Sequence, residues 1–568
     1  MDRPNLNIRD GGAAAAFTNP VIFADVPDPD VVFDGRYYYM VSTTMYFAPS
    51  VPIMRSSDLV HWSIAGYTAA ILHDADALAL RNGQDAYGQG SWAASIRFHD
   101  GTYYVSVGSL TTQQTYVYST PDIERGPWSR SVLDGYAHDQ SLLFDGDDVW
   151  LVYGGGSIDL RRLRRHDDGT LAWDGSATRL VEDANVDQTS GLNAEGAHAY
   201  KIGDYYYVFM IEWPSGGIRQ EVLWRSTSLT PQSAGGVWEG RVVLSQGVTV
   251  GGRPGTGVAQ GGVVQTSDGQ WYAMLFQDEG PLGRSPQLVG VTWDDDGWPV
   301  FALNPQAAAA AAPTTGDGAA VVASDDFDNL LERAGHWNTA NADLLAESAE
   351  NAWNGSDLGL QWQWNHNPDN RFWSLTERPG HLRLTTGSVA SSILDARNTL
   401  TQRTLGPTSS GAISLDVSHM KDGDVAGISA YQRKYGYIAV TMEGGTKSLV
   451  MRRAGGDGVI AFTSAPVPLR ADVVYLRADV DFRDAVDTAS FAYSYDGSNW
   501  TWLGDTLQMQ YDLAHFTGYR FALFNYATAE HGGYVDVDWF RVNDTTGLAN
   551  PTHRHSPTHR HSEGAVHD

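Results

Sequence analysis

One local pattern returns five times between Asn19 and Ala302: a polar residue, a short apolar strand, an aspartate–glycine turn and then an aromatic strand. The turns are Asp34-Gly35, Asp100-Gly101, Asp145-Gly146, Gly203-Asp204 and Asp268-Gly269. The strands that follow include Tyr37-Tyr38-Tyr39-Met40-Val41, Val149-Trp150-Leu151-Val152-Tyr153 and Tyr205-Tyr206-Tyr207-Val208-Phe209. Repeats of roughly 45 to 66 residues each have room for four short strands. Helical periodicity is almost absent. Five such units predict an all-β fold that begins with a five-bladed β-propeller. A large β-sandwich with similar hairpins is the alternative.

The residues just ahead of the turns share a phase. Asp28 leads the first repeat, within Val26-Pro27-Asp28-Pro29-Asp30. Proline fixes its own φ and restricts the residue before it, so Asp28 is expected to be extended and rigid. An ordinary turn is the competing reading, since Asp and Pro are common there. At the same phase, Asp139 leads the third repeat in His138-Asp139-Gln140-Ser141, and Glu195 the fourth in Asn193-Ala194-Glu195-Gly196. The second repeat offers Trp92 to Ser95, and the fifth Gln260-Gly261-Gly262. The innermost strands of a propeller line one axis, so equivalent positions converge on one pocket. Carboxylates brought together repel one another, which separates their pKa values and sorts them into acid and base.

Composition narrows the partners. The chain has 568 residues and a net charge of −29, which argues against nucleic acid and anionic membrane surfaces. Its 19 Trp and 27 Tyr suit sugar faces, but they also fill β-rich cores. Cysteine is absent, so thiol and disulfide chemistry are excluded. No apolar run is long enough to span a membrane. The apolar patch near the N-terminus, Ala13 to Phe17, is too short for a signal-peptide core. The expected location is therefore cytoplasmic, or secreted if a leader has been removed.

The propeller reading covers residues 19–303. Residues 304–322, with the run Ala307 to Ala312 between prolines, read as a linker. Residues 323–546 are again strand-like but carry no repeat, which points to a β-sandwich. The aromatic–polar clusters Gln361 to His366 and Asp369 to Trp373 are expected to pack this domain against the propeller, glycan contact being the alternative. Asp325, Asp326, Asp536 and Asp538 could hold a structural calcium ion, or form a solvated face. Residues 547–568 repeat Pro-Thr-His-Arg-His-Ser and read as a disordered His-rich tail.

Several stretches together resemble glycoside hydrolase family 43. They are Val26-Pro27-Asp28-Pro29-Asp30, Ser56-Ser57-Asp58-Leu59-Val60-His61-Trp62, Ser91-Trp92-Ala93-Ala94-Ser95-Ile96-Arg97, His138 to Asp145, Glu195-Gly196-Ala197-His198 and Ala259-Gln260-Gly261-Gly262, with Gly283-Arg284 downstream. Leu358 to Leu384 and Asn398 to Arg403 resemble the concanavalin-like sandwich that follows the propeller in xylan-active members. The resemblance implies Asp28 as general base, Glu195 as general acid and Asp139 as the carboxylate that tunes and orients the acid. It implies Trp92, Phe47, Arg284, His138 and Gln260 as substrate-binding residues. It also implies inversion at the anomeric carbon, with acid and base about 6.5–9.5 Å apart around one water. No cofactor is required for that chemistry. Some members hold an axial metal ion with a histidine before the fifth-blade glutamine. Ala259 stands at that place here.

The expected activity is exo-hydrolysis of arabinoxylan or its oligosaccharides, releasing α-L-arabinofuranose and in some cases β-D-xylose. A β-D-xylosidase acting on xylo-oligosaccharides is the alternative. The segment Met45-Tyr46-Phe47 departs from the commonest β-xylosidase pattern and favours the arabinofuranosidase reading. A non-catalytic carbohydrate-binding propeller would need a missing carboxylate, and all three are present.

Overall fold

The computed structural model describes residues 18–187, 190–303, 320–329 and 348–544. Most of the expected linker and the whole His-rich tail lie outside them. Five four-stranded antiparallel sheets follow one another along the chain. Their first strands are Asp30–Phe33, Ser91–His99, Ser141–Asp145, Ser190–Ile202 and Val258–Gln265. Each first strand contacts its neighbour, and the fifth returns to the first, so the sheets form the blades of a closed propeller. No helix among the described residues is long and apolar enough to cross a membrane.

All five aspartate–glycine turns join the first and second strands of a blade. Gly35, Gly101, Gly146, Gly203 and Gly269 have φ between 58° and 96°, a region that glycine enters without steric cost. The segment before the first blade laces the ring shut. Val21 and Val26 donate their backbone N–H groups to Pro286 and Arg284 of the fifth blade, and the Asn19 amide bonds the Leu288 backbone on both sides.

An aspartate forms the hub of the ring. Asp30 is fully buried and accepts from the Ser95 hydroxyl at 2.6 Å, the Ile96 N–H at 2.9 Å, Arg97 at 2.7 Å and Tyr200 at 3.2 Å. Burial alone would raise its pKa, but Arg97 and His198 outweigh it and hold the carboxyl well below the usual range. Blades I, II and IV thus meet on one carboxylate.

The second domain is a sandwich of a nine-stranded and an eight-stranded sheet. Its core includes Trp362, Trp364, Ile413, Leu476, Phe491, Phe521 and Phe540. Each such side chain contributes about 1.5–3 kcal/mol on burial. Trp362 and Trp364 are each 1% exposed and pack the sandwich's own core, while Gln363 and His366 of the same cluster reach the propeller at the Pro49 carbonyl and the Ala86 N–H.

The two domains share a sheet. The two-residue strand Phe47–Ala48 leaves the first blade and pairs with Gln363–Asn365 at the edge of the nine-stranded sheet. Phe47, expected at the pocket wall, is thereby anchored where the two domains meet. It is 3% exposed, and the Arg520 guanidinium of the sandwich lies 3.7 Å over its ring. The four acids weighed as a calcium site or a solvated face do not gather around a centre among the described residues. Asp536 pairs with Arg383 and Arg378, Asp326 pairs with Arg541, and Asp325 accepts from Trp362 and Gln361.

Candidate active site

Three inner strands bulge at the residue they aim along the axis. Register shifts fall between Ser91 and Ala94, on both sides of Glu195, and between Ala259 and Gly261. Bulges re-aim a side chain without ending the strand. The remaining two blades use a loop residue instead. Asp28 and Asp139 lie two residues before the first residues of their inner strands, at φ of 50° and 45°, and Gln260 has a similar φ of 55°. Asp28 is therefore left-handed rather than extended. The flanking prolines limit it, but the tight approach to the axis decides which basin it occupies. Aspartate tolerates this region better than most residues, and such strain collects at functional sites.

Asp28 is 4% exposed and held at both oxygens. Thr43 donates its hydroxyl to Oδ2 at 2.5 Å, and Arg284 donates Nη1 to Oδ1 at 2.6 Å. Arg284 is itself buried, and its Nε and Nη2 have no partner in the protein. Its charge is reinforced against burial by Asp28, and its pKa is raised.

Across the axis, His138 bridges two carboxylates. Its Nε2 donates to Glu195 Oε2 at 3.0 Å and lies 3.7 Å from Asp139 Oδ2, while Nδ1 meets the Tyr136 hydroxyl at 2.7 Å. Burial opposes the charge on His138. Asp139, Glu195 and Asp28 overcome it and push the imidazole pKa up to about 9. Asp139 moves up to about 6, through burial and the like charges of Glu195 and Asp28, although His138 opposes the shift. The ligand atoms of His138, Asp139 and Glu195 lie within 4.8 Å of one another, a spacing that a cation could bridge. A protonated His138 already supplies positive charge at that place. Ala259 packs with Ile211 and Phe276 in an apolar cluster.

Gln260 closes the far side. Its side chain lies over Gly196, where a Cβ would come within 2.6 Å of it, and Gly196 itself sits at φ 71°. Glycine next to Glu195 is thus required twice over. Trp92 stands with its ring centroid 6.0 Å from His138 and carries a buried, unpartnered Nε1. Buried polar atoms normally find partners. Here Trp92 Nε1, Asp139 Oδ1 and Arg284 Nε and Nη2 all lack one within one group of neighbouring side chains, which is what a site built for a polyhydroxylated ligand requires.

The sandwich supplies a wall that sequence reasoning missed. Phe516 lies 5.3 Å from Trp92, and the Arg284 guanidinium sits 4.7 Å over its ring. Tyr136, Thr43 and Asp25 were also missed. Of these, Thr43 had a signal: it lies two residues past Tyr38–Val41, the strand that pairs with the one after Asp28. Chemically, the site holds one oriented carboxylate, Asp28, and two further carboxylates that share the His138 imidazole. An oriented carboxylate near a second group of carboxylates supplies the residue types that general acid–base chemistry uses.

Residues 17–299 match the family described as Glycosyl hydrolases family 43, and residues 351–543 match the Beta xylosidase C-terminal Concanavalin A-like domain. A "Beta-xylosidase" of Formosa agariphila is 28% identical over 92% of this chain and 90% of its own length. A "Non-reducing end alpha-L-arabinofuranosidase" of Bacteroides ovatus is 28% identical over 81% of this chain and 83% of its own. A solved structure titled as a bifunctional GH43-CE protein of Bacteroides eggerthii is 43% identical with a TM-score of 0.81; the match covers 94% of this chain and 64% of that one. The chain is a glycoside hydrolase, and it belongs to family 43.

Proposed function

We propose that the protein is an inverting exo-hydrolase that releases α-L-arabinofuranose from arabinoxylan or arabinoxylo-oligosaccharides. Asp28 acts as general base on a water, Glu195 as general acid on the leaving oxygen, and Asp139 tunes that acid with His138. The observation that carries this reading is the division of the pocket's carboxylates. Asp28 is fixed by Arg284 and Thr43, while Glu195 shares His138 with Asp139. The wall formed by Trp92 and Phe516 favours a terminal sugar over a chain passing through. The departure at Met45-Tyr46-Phe47, with Phe47 drawn under Arg520, supports arabinofuranose over xylose.

A second reading is release of β-D-xylose from xylo-oligosaccharides. It is favoured by the Formosa agariphila relative named as a beta-xylosidase, which spans nearly the whole chain. Hydrolysis of aryl α-L-arabinofuranoside and aryl β-D-xyloside in parallel separates the two. A higher kcat/KM on the arabinofuranoside supports the first reading, and a higher value on the xyloside supports the second. Release of neither sugar contradicts both.

A further inference from the structure

Trp213 is the one exposed aromatic side chain among the described residues of the propeller, at 42% exposure. The catalytic scheme above leaves it unused. It lies at the end of the second strand of blade IV, Tyr205–Pro214. In that sheet Ile211 is paired with Glu195 and Trp213 with Leu192. Residues two apart on a strand share a face about 6.5–7 Å apart. The indole therefore shares a strand face with Ile211, whose backbone is paired with that of the proposed acid.

A stack of side chains also ties it to the base. Arg284, which holds Asp28, lies 5.3 Å over the Phe276 ring. Arg219 lies 5.8 Å from that ring and 4.7 Å over Trp213. Arg219 is held in turn by an ion pair with Asp278. The indole Nε1 donates to the Gly217 carbonyl at 2.9 Å, which fixes the ring plane. An exposed tryptophan pinned at its edge and backed by a guanidinium is a rigid apolar platform. The flat C–H face of a pyranose ring suits such a platform.

We propose that Trp213 binds the sugar ring that leaves, a β-D-xylopyranosyl unit of the xylan backbone. This assignment rests on the proposed roles of Glu195 and Asp28. It does not depend on which pentose is released, because removal of an arabinofuranosyl branch and removal of a terminal xylosyl unit both leave a xylopyranose on the acid's side. Arg219 acts through Trp213 as a positioning residue.

The test compares two leaving groups on one enzyme. One substrate is an oligosaccharide carrying the released pentose on a xylotriose backbone. The other is the matching pentosyl azide, which has no leaving ring. In Trp213→Ala the ratio of kcat/KM for the oligosaccharide to kcat/KM for the azide falls about ten-fold, chiefly through KM. Product inhibition by xylotriose weakens by a similar factor. Trp213→Phe, which keeps a ring, restores the ratio to within about three-fold of wild type and also serves if the alanine variant folds poorly. A ratio that stays within two-fold of wild type in both variants overturns the inference. So does an equal loss in alanine and phenylalanine variants. Wild-type enzyme that cleaves neither substrate would instead overturn the proposed function.

Discussion

Gly518 of the sandwich donates its backbone N–H to Oδ2 of Asp25 at 2.9 Å. The other oxygen of that carboxylate accepts the backbone N–H of Arg284, also at 2.9 Å. One buried aspartate in the propeller thus sets both the pocket arginine and the sandwich loop that carries Phe516. There is no room for other side chains here. A Cβ on Gly283 would meet Asp25 Oδ1 at 2.1 Å, and one on Gly518 would meet the Leu282 carbonyl at 2.0 Å. The sandwich is therefore part of the active site rather than an appended module.

Phe516→Ala is expected to raise KM for oligosaccharides about ten-fold while kcat falls less, because the ring walls the pocket and touches no reacting atom. Steady-state kinetics with circular dichroism to verify the fold measures this. Truncation after Ala312 removes Phe516 and uncovers Tyr46, Phe47 and Tyr87, which the sandwich buries. The truncated chain is expected to be insoluble or inactive, and a soluble, fully active propeller would contradict the shared-site picture.

Asp30→Asn is expected to cost about 3–5 kcal/mol, since it leaves Arg97 buried without its counter-charge. Denaturant unfolding measures the loss. The folded pKa of Asp30 is depressed, so its contribution is present above the unfolded value of about 3.9 and is lost as pH falls through the folded one. The stability gap between wild type and variant should be full at pH 7 and narrow below about pH 4.

Asp139→Asn is expected to lower kcat/KM and to move the basic limb of its pH profile toward lower pH. Asp139 and Glu195 share His138. Burial and the like charges of Glu195 and Asp28 raise Asp139 to about 6, and its negative charge lies beside the proposed acid. Removing that negative charge lets the acid release its proton earlier. An unmoved limb would assign Asp139 to structure alone.

Much of this layout was legible in the sequence because the propeller repeats. A repeat fixes phase, and phase placed Asp28, Asp139 and Glu195 in one pocket without any knowledge of side-chain directions. What the repeat does not encode was misread or missed. Phe47 sits beside an inner-blade motif, yet Phe47–Ala48 leaves its blade to pair with Gln363–Asn365, an exchange between domains that no local pattern announces. Phe516 reaches the pocket through tertiary packing, so its sequence neighbours carry no trace of Trp92 or Arg284. The prolines around Asp28 signalled restriction, but not which basin. For Asp536 and Asp326 calcium and a solvated face both stayed open, because spacing alone cannot show that arginines meet them.

Glu195→Gln and Asp28→Asn should lower activity on oligosaccharides by about 10²- to 10⁴-fold with the fold intact. The two are told apart by a dinitrophenyl pentoside, whose leaving group needs no proton. Glu195→Gln should keep most of its activity on that substrate, whereas Asp28→Asn should lose it on both. Equal behaviour of the two variants would contradict the division of roles.

The most direct test of that division is proton NMR of the first minutes of hydrolysis of an arabinoxylo-oligosaccharide by the wild-type enzyme. Asp28 and Glu195 acting on opposite faces of the sugar predict β-L-arabinofuranose as the first anomer released, before mutarotation, from the α-linked substrate. Initial release of the α anomer would show that no water is delivered by Asp28 from the face opposite Glu195, and would contradict the account.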